Sequence, residues 1–385
     1  MRARVLLMLM CFSLQMSPQV TAQVQGGDRM ARLLEQLSNA PGPSGFEGPV
    51  RELVARELRA AGLLVSTDGL GSVIAALAGP SGGPRIMLAA HLDEVGAMVR
   101  YITPEGMVKF RLLGGWLDQA LLDQRWTILT AKGPVTAVSG IRSPHITSAA
   151  EQDRVSPRND VFLDIGARNK EDAEALGIRP GDGIVPASSF TEVAGGRYVG
   201  KAMDDRVGCV MLIETLRRLK EQGIKMPNTL YLVGTVQEEV GLRGAHTAVQ
   251  AVKPDLGISL EVGLASDHPG AQADRAQERL GGGPTIYLAD AQMLVNLKLR
   301  DFILRVAAEH QIPMQTEVTE GGSEDCAELQ RFDAGKPAVN LAVAARYLHS
   351  HNSMIERRDL DRTVDLLVNL LPLLDAKTVA EISRF

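Results

Sequence analysis

Four places in the chain put side chains fit for metal ligation or acid–base work just beyond an apolar run or at the mouth of a helix: His91 with Asp93, Asp204 with Asp205, Glu238 with Glu239, and His349. Glu238 and Glu239 follow the apolar run 231–236. Two adjacent acids at the end of a buried strand are expensive unless a cation or a proton neutralises them. Separate jobs would resolve that cost, one acid binding a metal and the other serving as general base on the water it activates; a solvated turn is the alternative. Asp204 and Asp205 precede a helical pattern, where one acid is explained by capping and the helix dipole. The other is not, which leaves Asp204 free to bridge two metals while Asp205 caps or pairs with Arg206. His91-Leu92-Asp93 places a carboxylate two residues from an imidazole, as needed to fix the tautomer of a ligating histidine. His349 comes just beyond the strand pattern 338–344. Among the other histidines, His145, His246 and His310 read as structural or surface residues, while His268 and His351 are rivals to His349.

The elements around these residues alternate between strand and helix. Helical spacing covers 30–37 and 50–61, separated by the breaker-rich Pro41-Gly42-Pro43-Ser44-Gly45. Short apolar runs at 72–78 and 85–90 read as strands. From 95 to 196 the pattern turns to short alternating segments rich in glycine and proline, with one helical stretch at 170–176. From 201 onward, helices at 205–221, 243–252, 292–310 and 358–374 alternate with strands at 229–236, 256–262, 314–318 and 338–344. This alternation predicts an α/β sheet covered by helices on both faces, interrupted by a small β-rich module. Ligands in such sheets gather at the carboxyl ends of the strands, so residues distant in sequence meet there.

Composition limits the rest. The chain has 385 residues, 45% hydrophobic and 23% charged, with a formal net charge of −5; it has neither the bias of a disordered chain nor the basic face that a nucleic-acid partner requires. Arg2 and Arg4 precede an apolar run from Val5 to about Met16, and Val20-Thr21-Ala22 reads as a small-residue cleavage site, so residues 1–22 read as a signal peptide and the product as secreted or periplasmic. The run falls short of the roughly 20 residues of a membrane span, so no membrane insertion is expected after cleavage. Cys209 and Cys326 then remain, more consistent with two buried thiols than with a bridge.

Eight stretches resemble, in order, the M42 aminopeptidases, the glutamyl, leucyl and tetrahedral-aminopeptidase group. They are PGPSGFEGPVR at 41–51, AAHLDEVGAMV at 89–99, GKAMDDRVGC at 200–209, TVQEEVGLRGA at 235–245, SDHPG at 266–270, EHQIPMQTEV at 309–318, GGSEDCAELQ at 321–330 and RYLHS at 346–350. The resemblance implies a zinc-peptidase-like three-layer α/β catalytic domain (23–94 and 197–385) with an inserted small β-barrel dimerisation domain (95–196). It also implies two divalent ions, zinc first with cobalt or manganese as alternatives: His91, Asp204 and Glu261 on one, and Asp204, Glu239 and His349 on the other. Glu238 becomes the general base and Asp93 the partner that orients His91. Peptides become the substrates, cleaved at the N-terminus by a homo-oligomer, from dimer to dodecamer. Two positions depart from the pattern: Glu261 stands where the family has aspartate, and Glu324 where it has a small hydroxyl residue. A dizinc carboxypeptidase or deacylase on the same scaffold, and a catalytically inactive peptide-binding protein, are the competing readings.

Overall fold

A computed structural model describes residues 28–384 except Asp153, Gln272 and Ala273; the expected signal at 1–22 lies outside them. Four parallel strands form the centre of the main sheet, Thr229–Thr235, Arg85–His91, Leu256–Leu264 and Ala338–Arg346 in neighbouring order. Nearly every residue of the last three is buried. Since successive side chains of a strand point to opposite faces, both faces of this sheet are covered, which explains why these runs are continuously apolar rather than alternating. One group of helices, Arg29–Asn39, Met203–Glu221 and Arg357–Leu370, packs together against the centre, and Arg243–Val252 with Cys326–Arg331 forms another. Antiparallel strands extend the sheet: Val65–Thr67 and Val73–Leu77 beyond Thr229–Thr235, and Ser353–Glu356, Arg197–Gly200 and Thr191–Val193 beyond Ala338–Arg346.

A second sheet has five strands, in the order Val108–Leu113, Gly96–Ile102, Gly183–Pro186, Gln124–Thr130 and Gly133–Ser139. It encloses its own apolar cluster, including Val108, Trp116, Trp126, Ile128 and Ile184. Leu163 bridges to Val108 on one edge strand and Asp164 to Val138 on the other, so a single dipeptide joins the two edges.

Some element boundaries differ from the periodicity. The helix expected from 292 begins at Leu297, because Asp290 accepts hydrogen bonds from the backbone of Gln292 and Met293 and folds a turn, and Asn296 then caps the helix through Leu299 N. The last long helix ends at Leu370 and passes into a 3₁₀ turn containing Pro372. Cys209 and Cys326 are buried free thiols. No helix among the described residues is long and apolar enough to cross a membrane.

Candidate metal centre

The loops that leave the carboxyl ends of the central strands bring all the expected site residues together. His91 is the last residue of its strand, Glu238 and Glu239 follow Thr235, Glu261 lies within Leu256–Leu264, and His349 comes three residues after Arg346. Asp204 enters from the start of the helix Met203–Glu221, where Asp204 and Asp205 have non-helical backbone angles. Four non-glycine residues beside these positions have left-handed backbone conformations: Ala202, Gln237, Leu242 and Tyr347; His349 itself is a fifth. Such conformations persist only where the surroundings enforce them, and they concentrate at functional sites.

Asp204 lies between the two imidazoles. Its Oδ1 is 2.8 Å from His91 Nε2, and its Oδ2 is 3.2 Å from His349 Nε2. His349 Nε2 is 3.4 Å from Glu239, and His91 Nε2 is 3.9 Å from both Glu238 and Glu261. Two sets of ligand atoms are close enough to share an ion: His91, Asp204 and Glu239, and His91, Asp205 and Glu261. Asp205 is nevertheless committed elsewhere. Its two oxygens accept from His91 N (3.1 Å) and Gly208 N (2.8 Å), so it acts as a cap and strand tie. The pairing of Asp205 with Arg206 does not occur: the guanidinium of Arg206 goes to the carbonyls of Leu37 and Leu92 and to Glu94.

Asp93 is fully buried and holds the acid pair in place. Its carboxylate accepts from the backbone N of Glu238 (3.0 Å) and Glu239 (3.2 Å) and from Ser44 Oγ (2.6 Å). His91 Nδ1 is 3.1 Å from the Asp93 carbonyl and 3.6 Å from its carboxylate, so the backbone oxygen is the nearer partner. Asp93 therefore ties the strand end carrying His91 to the loop carrying Glu238 and Glu239.

Charge at the centre is badly balanced without a cation. Burial pushes Glu239 up to about 8, with Asp204 and Asp93 adding to the shift against the pull of His349 and His91. Burial likewise raises Glu238 and Glu261 well above the carboxylate range, reinforced by Glu239 and Glu324 at the first and by Glu324 and Asp205 at the second. Asp204 goes the other way: burial opposes its charge, but hydrogen bonds from His349 and His91 outweigh it. His349 rises to about 9 despite burial, because Glu239 and Asp204 face it. Buried Glu239 Oε1 and Glu261 Oε2 have no hydrogen-bond partner. Crowded acids that retain protons, together with orphaned carboxylate oxygens, mark a place where a metal displaces protons on binding.

Residues that the sequence reading missed frame this centre. Lys201 Nζ lies 2.7 Å from Glu94 and Arg206 3.4 Å from it, all three buried; Lys201 also reaches the Ala40 carbonyl. The cluster joins the segment after His91 to the segment before Asp204. Its signal was in the motifs, since Glu94, Lys201 and Arg206 flank the assigned residues. Replacing Glu94 by alanine leaves two cations buried without their acid, so we expect a loss of about 3–5 kcal/mol in unfolding free energy, read from denaturant midpoints; an unchanged midpoint would contradict this role.

The five-stranded sheet also reaches the site through Gly114 and Gly115. A Cβ on Gly114 would lie 2.9 Å from Glu239 Oε2 and 2.6 Å from Val95 Cγ1, at a φ of +84°, and one on Gly115 would lie 3.2 Å from His349 Nδ1. Gly114→Ala should therefore displace Glu239, and displacements of about 1 Å lower activity by about 10²-fold. Steady-state kinetics beside a thermal melt test this; wild-type kcat/KM in the variant would show that the close approach is not required. His351 is not a ligand: it is buried edge-on against Trp126, with ring centroids 4.4 Å apart, and Trp116. His246, at the surface, pairs with Glu328 at 2.9 Å, a partner the sequence reading did not find. His145 is exposed and His268 half-buried.

A cavity of about 620 Å³ opens on the centre, lined by Asp204, Glu238, Glu239, Val262, Tyr287, Glu324 and His349 among others. A larger cavity of about 930 Å³, between residues 294–298, 330–337 and 376–384, contains none of these residues.

A family model described as M42 glutamyl aminopeptidase matches residues 71–366. The glutamyl aminopeptidase of Lactococcus lactis subsp. cremoris is 32% identical over 356 residues, covering 91% of this chain and 98% of that protein. A TET aminopeptidase structure from Thaumarchaeota archaeon SCGC AB-539-E09 superposes with a TM-score of 0.89 at 40% identity, covering 92% of this chain and all of that one. The Pyrococcus horikoshii TET1 peptidase, described as assembling into a tetrahedron or a large octahedral shell, gives 0.80 at 31% identity over 89% of this chain and 99% of its own. Matching over this length, at this identity and with this shape, the chain belongs to the M42 glutamyl aminopeptidase family.

Proposed function

We propose that this metal-dependent aminopeptidase removes N-terminal residues from peptides with two divalent ions, held by His91, Asp204 and Glu261 on one side and by Asp204, Glu239 and His349 on the other. The observation that carries the proposal is the Asp204 carboxylate, which turns one oxygen to each imidazole at 2.8 and 3.2 Å. The donors fit: orphaned oxygens on Glu239 and Glu261 await a cation, and the mixed nitrogen and oxygen set suits zinc first, then cobalt or manganese. When bound, such ions supply an activated water and a Lewis acid for the scissile carbonyl. Glu238, its backbone held by Asp93, takes the proton of the attacking water and returns it to the leaving amine. Asp93 positions the acid pair.

The five-stranded unit at 95–196, with its edges joined through Leu163 and Asp164, is read as an inserted small-barrel dimerisation domain, and the chain as a homo-oligomer, by analogy with the assemblies described for TET1. The N-terminal segment 1–22 is read as an export signal, placing the enzyme in the periplasm or outside the cell. Aminoacyl-p-nitroanilides offered after chelation, then with zinc, cobalt or manganese restored, test the activity. Metal-restored cleavage supports the proposal, whereas cleavage confined to N-blocked substrates would support the carboxypeptidase or deacylase instead.

A further inference from the structure

The catalytic cavity holds one carboxylate more than the reaction uses. Asp204, Glu239 and Glu261 are claimed by the ions and Glu238 by the attacking water, and the charges of two divalent cations balance those four. Glu324 lines the same cavity but belongs to neither set of ligand atoms. Among the described residues, no lysine, arginine or histidine pairs with it and no donor hydrogen-bonds to its carboxylate. Its backbone faces Asp290, which is itself anchored by Gln292 N, Met293 N and Asn340 Nδ2. A carboxylate with neither a hydrogen-bond donor nor an ion-pair partner, lining a substrate cavity, calls for a cation from the substrate.

A peptide offers two. The α-ammonium is common to every substrate and sits one atom from the carbonyl under attack, so its partners must be the carboxylates gathered at the ions. The cation of a basic first side chain is the other, and the same cavity presents Val262, Leu264 and Tyr287 as apolar wall for its methylene stem. Tyr287 is nearly fully buried beside Glu278, which accepts from Thr285 Oγ1 at 2.8 Å. We infer that Glu324 selects peptides whose first residue is lysine or arginine, its carboxylate taking the side-chain cation. This rests on the aminopeptidase reading above.

The test is kcat/KM on the p-nitroanilides of lysine, arginine, leucine and glutamate, for the metal-loaded wild type and for Glu324→Gln. The wild type should prefer lysine and arginine to leucine, and the lysine-to-leucine ratio should fall by about tenfold or more in the variant, the size of one charge-assisted contact. Glu324→Ser gives a second reading of that ratio if the amide variant does not fold. A wild type that prefers leucine, or a variant that loses lysine and leucine cleavage in equal proportion, overturns the proposal; the second result would assign Glu324 to the α-ammonium. A folded, metal-loaded wild type that cleaves none of the four overturns the aminopeptidase reading itself.

Discussion

Glu238→Gln should retain both metal ions and lose kcat by about 10²–10⁴-fold, the range that a positioned general base contributes. The amide preserves the shape of the side chain and removes only its ability to take a proton. Glu238 suits this role because it is held rather than free: its backbone N donates to Asp93 at 3.0 Å, and its carboxylate lies 3.9 Å from His91 Nε2, beside the ligands but outside both ligand sets. Burial and the neighbouring acids raise its proton affinity above that of a free carboxylate, as suits a group that takes a proton from water. Kinetics together with metal analysis by atomic emission check the prediction. Undiminished turnover would remove Glu238 from the reaction, and loss of metal would make it a ligand instead.

Asp204→Ala has the other large expected effect, and it differs in kind. Among the described residues Asp204 is the one acid in ion-pair contact with both imidazoles, so its loss should empty both sites together. The drop in metal affinity should exceed the roughly 10–100-fold that follows from disturbing an outer-sphere partner, and activity should disappear with it. Metal that binds only the folded protein raises its melting temperature by mass action. Adding zinc to the stripped wild type should therefore raise Tm, whereas adding it to the variant should leave Tm unchanged. An unaltered zinc-dependent rise in Tm would show that Asp205, the alternative acid of the pair, carries the bridge.

The residues that the structure gathers at the strand ends were legible in the sequence because they combine unusual chemistry with strong positional signals. An imidazole or a pair of acids directly after a buried apolar run has few purely structural explanations, and the strands Arg85–His91, Thr229–Thr235, Leu256–Leu264 and Ala338–Arg346 are apolar enough to be read without help. The edge strands Val65–Thr67 and Thr191–Val193 were missed because they are short and half-exposed, so alternation has no length in which to appear. The support beneath the centre was harder still to see. The buried Glu94–Lys201–Arg206 cluster and the close approach of Gly114 to Glu239 depend on which loops meet, and local periodicity carries no information about that. Asp205 is the instructive case: the sequence left it to cap the helix or to pair with Arg206, and the hydrogen bonds it accepts from Gly208 N and His91 N decide for the cap.

Anomalous diffraction from crystals loaded with zinc tests the central claim most directly. The account predicts two peaks about 3.5–4 Å apart, on either side of the Asp204 carboxylate, one beside His91 and Glu261 and the other beside Glu239 and His349. A single peak, or a pair bridged by another residue, would contradict it.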